Sequence, residues 1–314
     1  MCEVKSIPLS AHELRDAVRQ GHRFDPARLD RILRHEVDHG IIEVQASTPW
    51  RAIAAYLRPG DAQAEAASER ATIRTIGQSI ARNPAGPDGR PIVAHVDSIT
   101  LITPEGELRR INRVANRDMF SLIVGGYGLF GTLYSVNLRV DSLARAVDDA
   151  AAADEAAVTP PCASRALHLL VPPEALERFI DEAQARCDEW RVGVQGVDVR
   201  LTLAEEETFL RWARKPYTEV ALRLSALATI GGAVRDTQLR RVLIDSAIAA
   251  GGSFPIGRTP DATRGQVAAC YPELPEFLAE KRRVDPSEKL VNGWYLHHRS
   301  LFSRDACETR WNQA

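Results

Sequence analysis

Residues 125–140 read Gly125-Gly126-Tyr127-Gly128-Leu129-Phe130-Gly131-Thr132-Leu133-Tyr134-Ser135-Val136-Asn137-Leu138-Arg139-Val140, and the order of residues in this stretch decides the fold class. Gly126, Gly128 and Gly131 satisfy the GxGxxG spacing and follow the apolar run Leu122-Ile123-Val124. A dinucleotide fingerprint of the doubly wound type needs a helix to open at the third glycine, because the helix N-terminus holds the pyrophosphate. Thr132 to Val140 instead alternates apolar and polar residues, the period of a strand. The stretch therefore predicts a glycine turn entering a strand. Glycines placed so mark a close backbone approach to a ligand or to a neighbouring element, and the pattern leaves both readings open.

Upstream, Ser10 to Gln20 carries Leu14 and Val18 among charges, with Ser10 as N-cap and Gly21 as stop, which predicts a surface helix. Ile41 to Ala46 reads as a strand. Thr48-Pro49 opens a helix through Trp50, Ile53 and Leu57 that stops near Pro59-Gly60. Ile92 to Ile111 has the form of a hairpin around Thr103-Pro104-Glu105-Gly106, residues with turn chemistry.

Composition shifts in residues 144–162, where an Ala/Asp-rich run ends in Thr159-Pro160-Pro161, and a linker is expected there. The expected organisation is a first domain over 1–143, that linker, a second domain over 163–256, and a C-terminal segment over 257–314 that returns to the first. Beyond the linker the order is strand 166–171, helix 173–190, strand 192–203, short helix 205–212, strand 217–227 and helix 233–250. Such an order predicts an α+β layer with helices on one sheet face. Residues 266–283 are helical in character with Pro272 and Pro275 as interruptions, and lead to the aromatic segment 290–301.

The chain has 314 residues, 45% apolar and 26% charged, and a formal net charge of -2, which describes a globular protein without a field for a polyanionic partner. No nucleic-acid partner is expected on that ground. The five cysteines form no CxxC pair, and no apolar run spans a bilayer, so the cytoplasm is the expected location and no membrane partner is expected. The chemistry expected is with a small molecule, and an oligomer stays open.

His35-Glu36-Val37-Asp38-His39 matches the HExxH zinc pattern, which needs both histidines on one rigid helix. Gly40 follows at once and a strand begins at Ile41, so the segment reads as a helix end turning into a strand, with no metal expected. His95 and the pair His297-His298 are candidate catalytic histidines, with a structural role as the plainer reading of each. Glu205-Glu206-Glu207 reads as the acidic start of a helix. Residues 75–86, Thr75-Ile76-Gly77-Gln78-Ser79-Ile80-Ala81-Arg82-Asn83-Pro84-Ala85-Gly86, combine small residues with side-chain donors and read as an irregular loop.

Taken in order, that loop, the hairpin from Val96 to Leu108 and the turn 125–133 resemble the FAD-linked oxidases of the vanillyl-alcohol oxidase and p-cresol methylhydroxylase class. Further patches of resemblance are Arg200, Glu207 to Ala213, Gly251-Gly252-Ser253, Cys270-Tyr271-Pro272 through Lys281, Asp285-Pro286 and Trp294-Tyr295. The resemblance implies an α+β fold, with a p-cresol methylhydroxylase type FAD-binding domain and a smaller, ferredoxin-like cap. It implies that Thr75, Gly77, Gln78, Ser79, Ala81, Asn83, Gly86 and Leu133 line the FAD, with Tyr295 as the catalytic residue on the substrate side. The family's glycine-rich pyrophosphate loop is missing, since Gly21-His22-Arg23-Phe24 passes directly on. Gln78 stands where the family has a second glycine, and Ala85 where many relatives have histidine. FAD is accordingly expected to bind non-covalently and weakly. The activity implied is oxidation of a small hydroxylated compound by hydride transfer to flavin. Alternatives are a flavin-free remnant serving as a binding or scaffold subunit, and a zinc hydrolase at HExxH.

Overall fold

The computed structural model describes residues 9–58, 75–86, 88–140, 166–225 and 230–303. The expected linker 144–162, Pro59-Gly60 and residues 226–227 lie outside them. Contacts divide the chain into two units, one of Met1–Val158, Glu207–Phe209 and Phe277–Asn292, the other of Thr159–Glu206, Leu210–Glu276 and Gly293–Ala314. The architecture is α+β with antiparallel sheets. Among the described residues no helix is long and apolar enough to cross a membrane.

The first unit is built on a five-stranded sheet in the order β1-β2-β5-β3-β4. Its strands are β1 (Ile32–Glu36), β2 (Ile41–Gln45), β3 (Val96–Ile102), β4 (Leu108–Asn112) and β5 (Thr132–Arg139), and every neighbouring pair is antiparallel. β5 is the strand that the glycine turn enters, and it lies at the centre of the sheet. Ile42, Val44, Ile99, Val136 and Leu138 pack from it into one apolar core with Ile53, Ile80 and Phe120. Helix α1 (Ala11–Gln20) begins at a Ser10–Glu13 capping box and ends on Gly21 at φ 67°, as its sequence implied. Helix α2 is Trp50–Leu57. In the β3–β4 hairpin the Gly106 N–H bonds the Thr103 carbonyl at 2.9 Å, with Gly106 at φ 85°, a conformation that glycine adopts without strain.

Several expectations are corrected here. Residues 75–86 are not an irregular loop, because Ile76–Arg82 forms helix α3 from a Thr75–Gln78 capping box. Residues 32–36 form a strand, and Val37–His39 is a single 3-10 turn closed by Gly40 at φ 60°. The charged edge strand β1 lacks the clean alternation that a half-buried strand advertises. Residues 92–95 of the expected hairpin are 3-10, and Arg117–Ile123 forms helix α4 before the glycine turn.

The second unit carries a three-stranded sheet in the order β6-β8-β7, with β6 (Leu167–Val171), β7 (Val194–Thr202) and β8 (Tyr217–Leu224). Leu169, Val220, Leu222 and Leu224 are buried on one sheet face. Helices α5 (Leu176–Glu189) and α6 (Ile230–Ala249) pack on each other, and α6 packs on β6. The sequence-expected helix at 205–212 is absent. Thr208, Leu210 and Trp212 are buried while Glu207, Phe209 and Arg211 are less so, a two-residue burial period in a segment of bends. Helices α7 (Arg264–Cys270), α8 (Leu274–Val284) and α9 (Gly293–Phe302) complete the described elements, with Pro272 between α7 and α8 and Pro275 inside the first turn of α8 rather than interrupting it.

Candidate functional site

Two segments on which the resemblance rests, residues 75–86 and 125–131, meet in the first unit. The Gly125 N–H bonds the Ile80 carbonyl at 2.8 Å, and the Tyr127 N–H bonds the Ala81 carbonyl at 2.8 Å. These two bonds satisfy carbonyls in the last turn of α3 that a helix end would otherwise leave open. Asn83 follows in the left-handed region at φ 46°, fully buried, and its Oδ1 accepts the Val93 N–H at 2.9 Å. The Asn292 Nδ2 in turn donates to the Tyr127 carbonyl at 2.8 Å. Residues 75–86, the turn and the 277–292 segment are thus one hydrogen-bonded saddle.

Polar groups of residues 75–86 find partners within the first unit. At the start of α3 the Ile76 N–H bonds the Thr48 carbonyl (3.0 Å), Gly77 N–H the Ala46 carbonyl (2.7 Å) and Gln78 N–H the Thr75 Oγ1 (3.3 Å). Ser79 Oγ accepts from Trp50 Nε1 at 2.8 Å, and Gly86 N–H bonds the Arg90 carbonyl at 2.7 Å. Ala81 is half-buried and Gln78 is exposed, while Leu133, on β5, packs against the first unit's core. Gly77 and Gly126 are explained by protein neighbours. A Cβ on Gly77 would stand 2.8 Å from the Ala46 carbonyl oxygen, and one on Gly126 would stand 1.8 Å from that of Leu122. The N–H cradle that a diphosphate requires is therefore not provided by the donors of this segment, which fits FAD only as a packing surface.

Gly126→Ala is expected to destabilise the first unit by about 1–3 kcal/mol or more, because its overlap is with backbone. Gly128, exposed at φ 73° with nothing within 4 Å of the place a methyl group would take, provides the contrast. Gly128→Ala should cost only the left-handed penalty, roughly 1–2 kcal/mol. Urea unfolding of the two variants compares them, and equal midpoints would contradict the packing described.

His95 is fully buried, and its Nε2 lies 3.6 Å from Asp88 Oδ2. Burial lowers its pKa despite that carboxylate, which keeps the imidazole neutral inside the fold. At the HExxH segment, His35 lies on β1 with its ring 5.6 Å from that of Tyr56, and His39 Nδ1 is 3.4 Å from Glu36 Oε2. A strand followed by one 3-10 turn does not set two histidines one α-helical turn apart, and among the described residues no three His, Cys, Asp or Glu side chains converge.

The second unit holds a cavity of about 430 Å³ whose lining includes His168, Ile256, Arg258, Pro260, Trp294, His297 and His298. Apolar walls with a few polar groups are what a small-molecule site offers. His168 Nδ1 donates to Glu219 Oε1 at 2.9 Å, and Arg258 Nη1 donates to the same oxygen at 3.0 Å. Burial alone would raise the Glu219 pKa, but the His168 hydrogen bond and the charges of Arg258, His168 and Arg200 hold it at about 2. His298 is buried and its pKa falls to about 4, with only partial compensation from the hydrogen bond that Nδ1 donates to the Trp294 carbonyl at 2.8 Å. A neutral His298 with its Nδ1 so engaged carries its lone pair on Nε2, an acceptor or base in a largely apolar wall.

Tyr295 belongs to the same helix but not to the cavity lining. It is fully buried, and the Arg299 guanidinium lies 5.3 Å over its ring. Gly293, Trp294, His297 and His298 are the residues of α9 that line the cavity. His168, Glu219 and Arg258 went unread in the sequence: they are 39 to 90 positions apart, and His168 lies within the strand pattern Leu167-His168-Leu169. The protein-family models contain no match to this chain, and no curated protein matches it.

Proposed function

We propose that the chain is an FAD-dependent oxidoreductase acting on a small hydroxylated compound, with FAD held non-covalently and weakly. The observation that carries this reading is the hydrogen-bonded union of residues 75–86 with the turn 125–131, two motif segments of the FAD-linked oxidases brought together by Gly125 and Tyr127. When bound, FAD would supply a two-electron acceptor for the hydride of the substrate. The chain's own contribution is a packing surface at Gly77, Ala81 and Leu133, and in the second unit a cavity in which Arg258 and the imidazoles of His168 and His298 orient a polar ligand. A flavin-free binding subunit is the second reading, favoured by the internal partners of the α3 first-turn N–H groups.

Each charge-assisted hydrogen bond that a diphosphate lacks forfeits roughly 1.5–3 kcal/mol, and two of them weaken binding by about a hundredfold or more. Purified protein should therefore be pale, and titration followed by flavin fluorescence should give saturable binding in the micromolar range or weaker. FAD should bind more tightly than riboflavin if the adenosine end adds contacts near Leu133. No saturable binding of either would leave the flavin-free reading; flavin surviving purification at stoichiometry would overturn weak binding.

A further inference from the structure

β7 is the edge strand of its sheet, nine residues long, paired with β8 on one side and with no described strand on the other. Natural edge strands are blunted by charged side chains, lysine above all, and by proline, bulges or shortness. Residues 194–202 contain neither lysine nor proline, and the one irregularity is a bulge between Val194 and Gly196. Val197, Val199 and Leu201 are 41%, 52% and 55% exposed. They stand in register with Leu222, Val220 and Thr218 of β8, all buried, so the apolar layer of the sheet runs across β8 and ends in solvent on β7. The opposite face of β7 presents Asp198 and Arg200, one on each side of Val199.

We propose that β7 is a self-association edge, on which a second copy of the chain lays its own β7 antiparallel about a two-fold axis at Val199. The two three-stranded sheets then become one of six strands. In that register Val197 stands opposite Leu201 of the partner subunit, Val199 opposite Val199 of the partner subunit, and Asp198 opposite Arg200 of the partner subunit, the last pair formed twice. Charge selects the register. An axis at Asp198 or at Arg200 sets like charges against each other, and a half-step slip turns the apolar residues against the polar face. Asp198 Oδ2 already accepts from Arg223 of its own sheet, and its carboxylate has a second oxygen for the partner's guanidinium. A single strand pair with this apolar area falls below the roughly 1,200–2,000 Å² of standard stable interfaces, so the dimer is a reversible one.

Sedimentation velocity over chain concentrations from micromolar to a few hundred micromolar reads the equilibrium. The expected result is a rise from one chain mass to two, abolished by Val199→Lys. Asp198→Arg and Arg200→Asp should each weaken the dimer by about tenfold or more, since two symmetric pairs turn repulsive, and the double variant should restore it. Because these side chains are exposed, every variant should keep a folded circular dichroism spectrum. Loss of the Arg200 charge opposite Glu219, or of the Asp198–Arg223 pair, should lower stability without unfolding the sheet. As a second reading, Val199→Cys should form an intermolecular disulfide under mild oxidation without denaturant. A monomer at all concentrations, a dimer indifferent to Val199→Lys, or a double swap that stays monomeric while folded would each overturn the proposal.

Discussion

Replacing Lys281 by methionine is expected to lower the unfolding free energy of the first unit by about 3–5 kcal/mol, the cost of leaving one member of a buried ion pair behind. Lys281 and Asp285 are 0% and 1% exposed, and the Lys281 ammonium donates to Asp285 Oδ2 from one turn of α8 earlier. The carboxylate also accepts the Lys289 N–H at 3.0 Å and the Leu290 N–H at 2.8 Å. It therefore holds the chain where it leaves α8, and the Lys289 Nζ continues the tie to the Pro104 carbonyl at 2.8 Å. Methionine keeps the length and the apolar stem but removes the charge. Burial would raise the Asp285 pKa, yet Lys281 and the two N–H groups hold it below its ordinary value. A depressed carboxyl stabilises the fold above its unfolded pKa and loses that contribution as pH falls through the folded one. Urea unfolding at neutral pH measures the loss. Lys281→Met with Asp285→Asn should recover much of it, because both charges leave together. A single variant within about 0.5 kcal/mol of the parent, the range of ordinary surface changes, would contradict the role assigned to the pair.

Elements with strong local signals were legible from sequence. Ser10 with Glu13 and Gly21 bounded α1, Thr103 to Gly106 located the hairpin turn, and the alternation after Gly131 gave β5. The misread elements have physical causes. Helix α3 is short and rich in Gly, Ser and Ala, so composition pointed to a loop, although the Thr75–Gln78 capping box was present in the sequence. β1 is a charged edge strand, and residues 205–212 follow a two-residue burial period that Leu210 and Trp212 alone do not reveal. The glycine turn left two readings, ligand or neighbour. Neighbouring backbone explains Gly77 and Gly126. The cavity cluster was invisible because His168, Glu219 and Arg258 come together only through the β6–β8 pairing and the chain that follows Ile256.

Glu219→Gln should destabilise the second unit by about 3 kcal/mol at pH 7, and the difference from the parent should shrink as pH falls toward 2. The carboxylate titrates at about 2 in the fold, against roughly 4.3 in an unfolded chain, and each unit of difference is about 1.36 kcal/mol. For a depressed carboxyl the contribution is complete above the unfolded value and disappears as pH drops through the folded one. The window for this residue is therefore roughly pH 4 down to 2. Glutamine keeps the shape but leaves the Arg258 guanidinium and the His168 Nδ1–H without the anion that both share. His298 works in a different window. Its pKa is lowered to about 4, so an unfolded chain takes up a proton there first, near pH 6.5, and the fold loses stability between roughly 6.5 and 4. That loss is common to parent and variant, so subtracting their unfolding free energies isolates Glu219. Urea unfolding followed by tryptophan fluorescence at pH 7, 5 and 3 gives the three points. A difference that stays constant down to pH 3 would deny the low carboxyl pKa; no difference at pH 7 would mean that Arg258 and His168 find other partners, and the cavity would then lose the fixed anion that orients its two donors.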